Sequence, residues 1–303
     1  MANRLYTGNL EILANAFLKK DTLLGRERIK QERNKLNCCI EYNNEIFGYE
    51  IRENKPLTEL YGFRVRVVDF EFSQINEVSS ITENQILEEL FQNLQRTIKR
   101  ENAYYTFRVP TAVMSVLKMV NKYFDNILVC GGLISYVTAT SVEMREVEDV
   151  KISLVSNDYL EKNLYELTSI ARKSFETYRG QYHISPVTEN RAGEIYSDWV
   201  YRSFKSENEK FFVSEYKGKP AGYVIVREDE QLCEGVLAVV SETYRRLGIY
   251  KNLHRNVINY ACGKHKMFAS VTQFENLVPQ NTWISLGMRP FTSHYNIHID
   301  MRD

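Results

Sequence analysis

The sequence predicts an α/β fold in which a mixed central sheet is flanked by helices and the plan is repeated in tandem. A degenerate copy spans residues 1–150, and the copy spanning 151–303 keeps a ligand loop. Three observations predict this. The stretch VLAVVSETYRRLGIYKNL (Val236–Leu253) runs from an apolar strand through a polar turn into a helix opening at Gly248. Helical and strand periodicities alternate along the chain. The run YYTFRV, helix, YFDNILVCGGLISYVTA in the first half parallels MFASVT, helix, LGMRPFTSHYNIHI in the second.

Taken in order, residues 9–34 read as a helix, with Leu10, Leu13, Ala14, Phe17 and Leu18 at three- and four-residue spacings. Strands follow at 37–42, 45–52 and 63–73. In the last, Val65, Val67, Phe70 and Phe72 alternate with Arg64, Arg66, Asp69 and Glu71, and the slip at Val68 predicts a bulge. Thr82 and Gln85 form a capping box for a helix whose Ile86, Leu87, Leu90, Phe91, Leu94 and Ile98 make one apolar face. A strand at YYTFRV, a helix over 111–124 and a long strand pair or bent strand over 126–139 complete this half. The polar stretch 140–153 carries the domain boundary. Beyond it come helices over 158–175 and 189–204, then strands over 210–216 and 221–227 joined by a Lys217–Pro220 turn. After the strand Val236–Val240 come a helix Ile249–His265, a strand over 267–272, a helix over 279–286 and a last strand over 293–299.

Thirty-nine basic residues balance thirty-nine acidic ones, so no long-range field favours nucleic acid or an anionic membrane surface. The N-terminus lacks the apolar core and cleavage site of a secretion signal, and no run approaches the ~20 apolar residues of a membrane span. Cys38, Cys39, Cys130, Cys233 and Cys262 have no metal-type spacing, and the adjacent pair is poorly placed for a disulfide. They read as reduced thiols in a cytoplasmic protein that uses no metal.

The turn at Gly248 suits an anion. Glycine lets backbone N–H groups approach a ligand, the helix N-terminus favours a phosphate, and Arg245 and Arg246 add charge. No Gly-Lys-Ser/Thr follows and only one glycine is present, which excludes a Walker loop and a dinucleotide fingerprint. Arg245 and Gly248 match the pattern Arg/Gln-x-x-Gly-x-Gly/Ala, and the stretch resembles the acyl-CoA loop of the GCN5-related N-acetyltransferase (GNAT) superfamily. Tyr250 stands where that superfamily has Gly or Ala.

Within the superfamily the second half is similar to dTDP-fucosamine acetyltransferase and its amino-sugar N-acetyltransferase relatives. Tyr182-His183-Ile184-Ser185-Pro186 followed by Ile195-Tyr196-x-x-Trp199-Val200-x-Arg202-Ser203 resembles their Phe-His-x-Asp-Pro … Leu-Tyr-x-x-Trp-x-x-Asn-Ser. Val271-Thr272-Gln273-x-x-Asn276, Trp283-x-x-Leu286-Gly287-Met288 and Ser293-His294-Tyr295-x-x-His298 resemble the splayed strand, closing helix and final strand. Ser185 and Arg202 depart from the pattern.

The resemblance implies acetyl-CoA (coenzyme A) as cofactor. It would be held by the backbone of Leu237, Ala238 and Val239, by Arg245, Arg246, Leu247, Gly248, Ile249, Tyr250 and Lys251, and by Asn276 and Trp283. His183, Tyr196, Trp199 and Gln273 would bind substrate. Glu234, His294 and Tyr295 are the catalytic candidates, with His298 on the same strand face as His294. Each has a plainer reading: Asn276 as a helix cap, Tyr196 and Trp199 as core, the histidines as strand residues, Glu234 as a hairpin charge. Trp283 lies seven residues after Asn276, where many members place the Tyr that protonates the departing thiolate, and an indole N–H is no acid. The implied activity is direct acetyl transfer to the amine of a nucleotide-linked amino-deoxysugar, by a monomer or homodimer. The rivals are an N-acyltransferase for another small amine and a non-catalytic CoA-binding, metabolite-binding or scaffold protein, which Tyr250 and Trp283 favour.

Overall fold

The computed structural model describes residues 37–42, 45–72, 80–111, 114–178, 180–185, 187, 189–228, 231–264 and 266–302. The helix expected over 9–34 lies outside them. Two compact units are present: residues up to Val129 together with His294–Asp303, and Cys130–Ser293.

In the N-terminal unit, β1 (Cys38–Tyr42), β2 (Glu45–Glu53) and β3 (Val65–Phe72) form an antiparallel meander. Helix α1 (Lys55–Tyr61) joins β2 to β3, and α2 (Ser80–Ile98) leads to β4 (Tyr104–Pro110), which runs parallel beside β3. Helix α3 (Met114–Tyr123) follows. Leu87, Leu90, Phe91 and Leu94 of α2 pack against Tyr105, Phe107 and Val109 of β4, all fully buried. The sequence reading missed α1, a short helix started by Asn54, whose side chain accepts from Leu57 N–H at 3.2 Å, with Pro56 in the first turn. The bulge expected at Val68 is absent. Val65, Val67 and Val68 are all buried in a regular strand covered on both faces, so the apolar run marks burial and not a slip. Thr82 lies inside α2, which begins at Ser80, and does not cap it.

In the C-terminal unit, β6 (Val150–Leu154), β7 (Glu209–Tyr216), β8 (Lys219–Glu228) and β9 (Leu232–Val240) form an antiparallel meander. Helix α4 (Asn157–Glu176), capped by Ser156, the short α5 (Gln181–Ile184) and α6 (Ala192–Lys205) lie between β6 and β7. After β9 come α7 (Ile249–Gly263), β10 (Met267–Gln273) and α8 (Leu277–Ser285). β10 runs parallel to β9 and antiparallel to β5 (Ile127–Thr138). One sheet face buries Leu167, Tyr196, Tyr223, Leu237 and Val239 with α4 and α6. The other buries Leu253, Val257, Phe268 and Trp283 with α7 and α8.

The units repeat one plan: a meander, a helix, a parallel strand and a closing antiparallel strand. The closing strands are exchanged. β5, from the first half of the chain, pairs with β10, whereas His294–Asp300 of β11 (Arg289–Asp300) pairs with β4. The division therefore falls at 129/130 and again at 293/294, where the sequence reading set one boundary at 150. Among the described residues no helix is long and apolar enough to cross a membrane.

Candidate active site

The site begins with an irregularity in β9. Ile225 faces Leu237 but Val226 faces Gly235, so Val236 is an extra residue, a β-bulge. On the opposite edge β9 pairs with β10 only as far as Gly235 and Ser270. Both strands continue, each paired to its outer neighbour, so they part beyond that point. The fork is closely packed at its base: a Cβ on Gly235 would lie 3.0 Å from both Phe268 Cζ and Ser270 Oγ.

Ser241 N–H donates to Ala221 O at 2.8 Å. Antiparallel alternation then turns the polar backbone groups of Leu237 and Val239 toward β8 and those of Ala238 and Val240 into the opening. The sequence reading grouped Leu237, Ala238 and Val239. Only Ala238 of the three offers its backbone there, since those of Leu237 and Val239 face β8, and Val240 is the member it missed.

The turn after β9 ends in two left-handed residues, Arg246 with φ 67° and Gly248 with φ 76°. Conformation alone requires glycine at 248, since an added Cβ would touch only Val147, at 3.7 Å. No side chain caps α7, so the N–H groups of Ile249, Tyr250 and Lys251 open its N-terminus uncapped. Arg245, Arg246 and Leu247 are exposed beside it, and Arg245 Nη1 holds Glu242 Oε1 at 3.0 Å. Unpaired backbone along a strand, leading to an uncapped and positively charged helix N-terminus, fits an extended ligand that carries a phosphate.

Tyr250 does not stand over this N-terminus. Its ring turns inward onto His254, 4.4 Å between centroids, and packs against the core shared with Trp283. Burial pushes its hydroxyl far above the usual range. His254 Nδ1 lies 2.9 Å from Tyr250 O, which only accepts, so Nδ1 carries the proton and the buried Nε2 is left without a partner. Trp283 is 2% exposed between Tyr136 and His254, with ring centroids at 5.6 and 5.7 Å. The indole is thus part of the core.

Asn276 occupies the N-cap position of α8 without capping it. Its Nδ2 instead donates to Tyr178 Oη and to Thr272 Oγ1, each at 3.1 Å. Tyr178 follows α4, meets Phe175 edge-on at 5.6 Å, and brings its hydroxyl to the end of β10. Gln273 is buried beside it, and a Cβ on Gly180 would lie 2.4 Å from Gln273 Nε2 and 2.8 Å from the Tyr178 ring. His183 Nε2 donates to Glu176 O at 2.9 Å. Tyr196 is sandwiched between Phe175, at 3.8 Å, and half-buried Trp199, at 6.2 Å, so its ring is core.

Glu234 lies in the hairpin that joins β8 to β9. It is half-buried within β9, paired with Arg227 and Ala269 just before the bulge. His294 and Tyr295 belong to the N-terminal unit, where β11 meets β4, and Tyr295 packs against that unit's core. His298, in the same stretch, is buried with Nδ1 2.8 Å from Tyr104 Oη. Tyr178 escaped the sequence reading because a single tyrosine in a loop has no spacing that marks it.

Residues 164–287 match the Acetyltransferase (GNAT) family. No curated protein matches the chain by sequence. The structure of a GCN5-related N-acetyltransferase from Sphaerobacter thermophilus is similar with a TM-score of 0.56 at 10% identity, covering 85% of this chain and 77% of that one. A GNAT-family acetyltransferase from Colwellia psychrerythraea gives 0.52 at 10% identity, covering 92% and 97%. A tandem GNAT protein from the clavulanic acid biosynthesis pathway gives 0.51 at 9% identity, covering 86% and 79%. At such identities the likeness is one of fold: a mixed sheet flanked by helices, of GNAT type and in tandem.

Proposed function

We propose that the C-terminal unit is an acetyl-CoA-dependent N-acetyltransferase. The observation that carries this reading is the fork between β9 and β10, which leads from the unpaired backbone of Ala238 and Val240 to the uncapped N-terminus of α7. Arg245, Arg246 and the N–H groups from Leu247 to Lys251 would hold the pyrophosphate, and Ala238 and Val240 would hold the pantetheine and thioester oxygen. Acetyl-CoA would supply the activated acyl group. The chain's part is to orient an uncharged amine beside that group, exclude water and manage two protons. Glu234, half-buried near the bulge, is the candidate to take the amine's proton.

The acceptor we propose is the amine of a nucleotide-linked amino-deoxysugar. The Tyr182–Pro186 and Ile195–Ser203 stretches support it, as does the flat, half-buried face of Trp199 near the His183 loop. Calorimetric titration with acetyl-CoA tests the core of the proposal. One-site binding that weakens at least tenfold when Arg245→Ala is combined with Gly248→Val upholds it. Binding that ignores both substitutions sinks it. A panel of amino-sugar nucleotides, read by thiol release, then tests the acceptor.

A further inference from the structure

We propose that the N-terminal unit carries a binding site of its own, in which Arg108, Asn296 and His294 take a small carboxylate. The site is independent of the acetyl-transfer reading above.

Alternation along β11 creates it. Tyr295, Ile297 and Ile299 face the core beneath α2, so His294, Asn296 and His298 share the opposite face of the sheet. Polar groups buried on such a face call for partners. His298 has one, with Nδ1 2.8 Å from Tyr104 Oη. Asn296 is only 3% exposed, and its Nδ2 is buried without a partner. The Nε2 of half-buried His294 is likewise buried and unpartnered.

Strand β4 supplies the charge. Arg108 stands directly opposite Asn296 in the antiparallel register, where facing Cβ atoms lie about 5 Å apart. His294 is two residues along the same face, a further step of about 7 Å. On its other side Arg108 faces Asp69 of β3, but that carboxylate is drawn to Arg52 of β2, 2.7 Å away. Arg108 is exposed and, among the described residues, forms no hydrogen bond or ion pair. An exposed guanidinium, a half-buried imidazole and a buried amide are thus neighbours on one face, and all three are unpartnered.

The chemistry of the three groups selects the ligand. Guanidinium and amide N–H groups donate, as does imidazole with its proton on Nε2, and an ionised carboxylate only accepts. Burial first, and then Arg108, lowers His294 to about 4 against the pull of Asp69, so the imidazole is uncharged near neutral pH. One free cation therefore meets the ligand, which matches a monoanion. A phosphate dianion would bring surplus negative charge up to Asp69.

The experiment adds sodium propionate to the full chain carrying isotope-labelled histidine and follows the ring nitrogens by NMR. The His294 signal is the one lost in His294→Gln. A saturable shift of its Nε2 is expected, with a dissociation constant of roughly 1 mM for so small a ligand, while the His183 and His254 signals hold still. Arg108→Gln, a change at an exposed residue, should weaken binding roughly tenfold without moving the melting temperature. Asn296→Leu should weaken it roughly fivefold. Inorganic phosphate should bind more weakly than propionate. No saturable shift of His294, or a shift that persists undiminished in Arg108→Gln, overturns the site. Tighter binding of phosphate overturns the carboxylate assignment.

Discussion

Ser270 Oγ donates a hydrogen bond to Gly235 O at 3.2 Å, and that pair is the last rung before β9 and β10 part. The rung is tight, because a Cβ on Gly235 would press on Phe268 Cζ and Ser270 Oγ, each 3.0 Å away. Gly235→Val should force the strands apart one rung early, at a cost of about 1–3 kcal/mol. Thermal unfolding of the variant checks the loss. An unchanged melting temperature would mean the fork is softer than this packing implies.

Arg246 holds a left-handed φ of 67° with a full side chain, a conformation that costs about 1–2 kcal/mol. Arg246→Gly removes that strain and returns part of the gain as unfolded-chain freedom, so a net stabilisation of about 0.5–1 kcal/mol is expected. The lost charge should weaken acetyl-CoA binding at the same time. Opposite signs in urea unfolding and calorimetry are the diagnostic result. If affinity holds while stability rises, Arg246 is a turn residue with no ligand role.

How much of this was legible in the sequence depends on how local each feature is. The apolar strand, the turn and the opening of α7 at Gly248 were readable because periodicity and glycine placement act over a few residues. The choice among Leu237, Ala238 and Val239 was not. One extra residue at Val236 reverses which backbone groups face the fork, and a bulge leaves little trace beyond the glycine before it. The exchange of β5 and β11 was invisible because strand partners far apart in sequence leave no periodic mark. Trp283 sits at a suggestive spacing from Asn276, yet its face of α8 is core. Spacing defines a helix face without saying what that face meets.

Tyr250 separates two readings of the ligand loop. If its ring narrowed the phosphate approach, Tyr250→Ala would improve acetyl-CoA binding. The inward ring predicts otherwise: no gain in affinity, and a loss of about 3 kcal/mol from the cavity left against His254 and the core. A tighter complex in the variant would place the ring over the site after all.

Glu228 predicts an acid limb at low pH. Burial disfavours its charge, but hydrogen bonds from Lys210, Tyr260 and Lys266 outweigh burial and hold the carboxyl at about 2. A folded-state pKa below the unfolded value of about 4.5 gives stability that is complete above pH 4.5 and lost as pH falls through 2. Glu228→Gln should cost about 3 kcal/mol at neutral pH, because three lysines lose their shared carboxylate. It should also flatten the limb between pH 4.5 and 2. Urea midpoints across that range decide it, and an equally steep limb in the variant would assign acid unfolding elsewhere.

The histidines predict a separate limb at higher pH. His254 and His298 are 0% and 3% exposed, and burial lowers each to about 4 from an ordinary 6.5. His294 is also lowered to about 4, by burial first and then by Arg108, against the opposing pull of Asp69. For each, the unfolded chain takes a proton below pH 6.5 that the folded chain refuses until about 4. Stability is therefore complete above 6.5 and falls as pH drops through that window. One such proton is worth about 1.4 kcal/mol per pH unit, so three approach about 4 kcal/mol per unit between pH 6 and 5. His254→Leu keeps the apolar contacts with Phe268 and Trp283 and removes one titration, so the slope should drop by about a third. A slope unchanged by the substitution would mean that His254 is already charged in the folded chain, which its unpartnered Nε2 argues against.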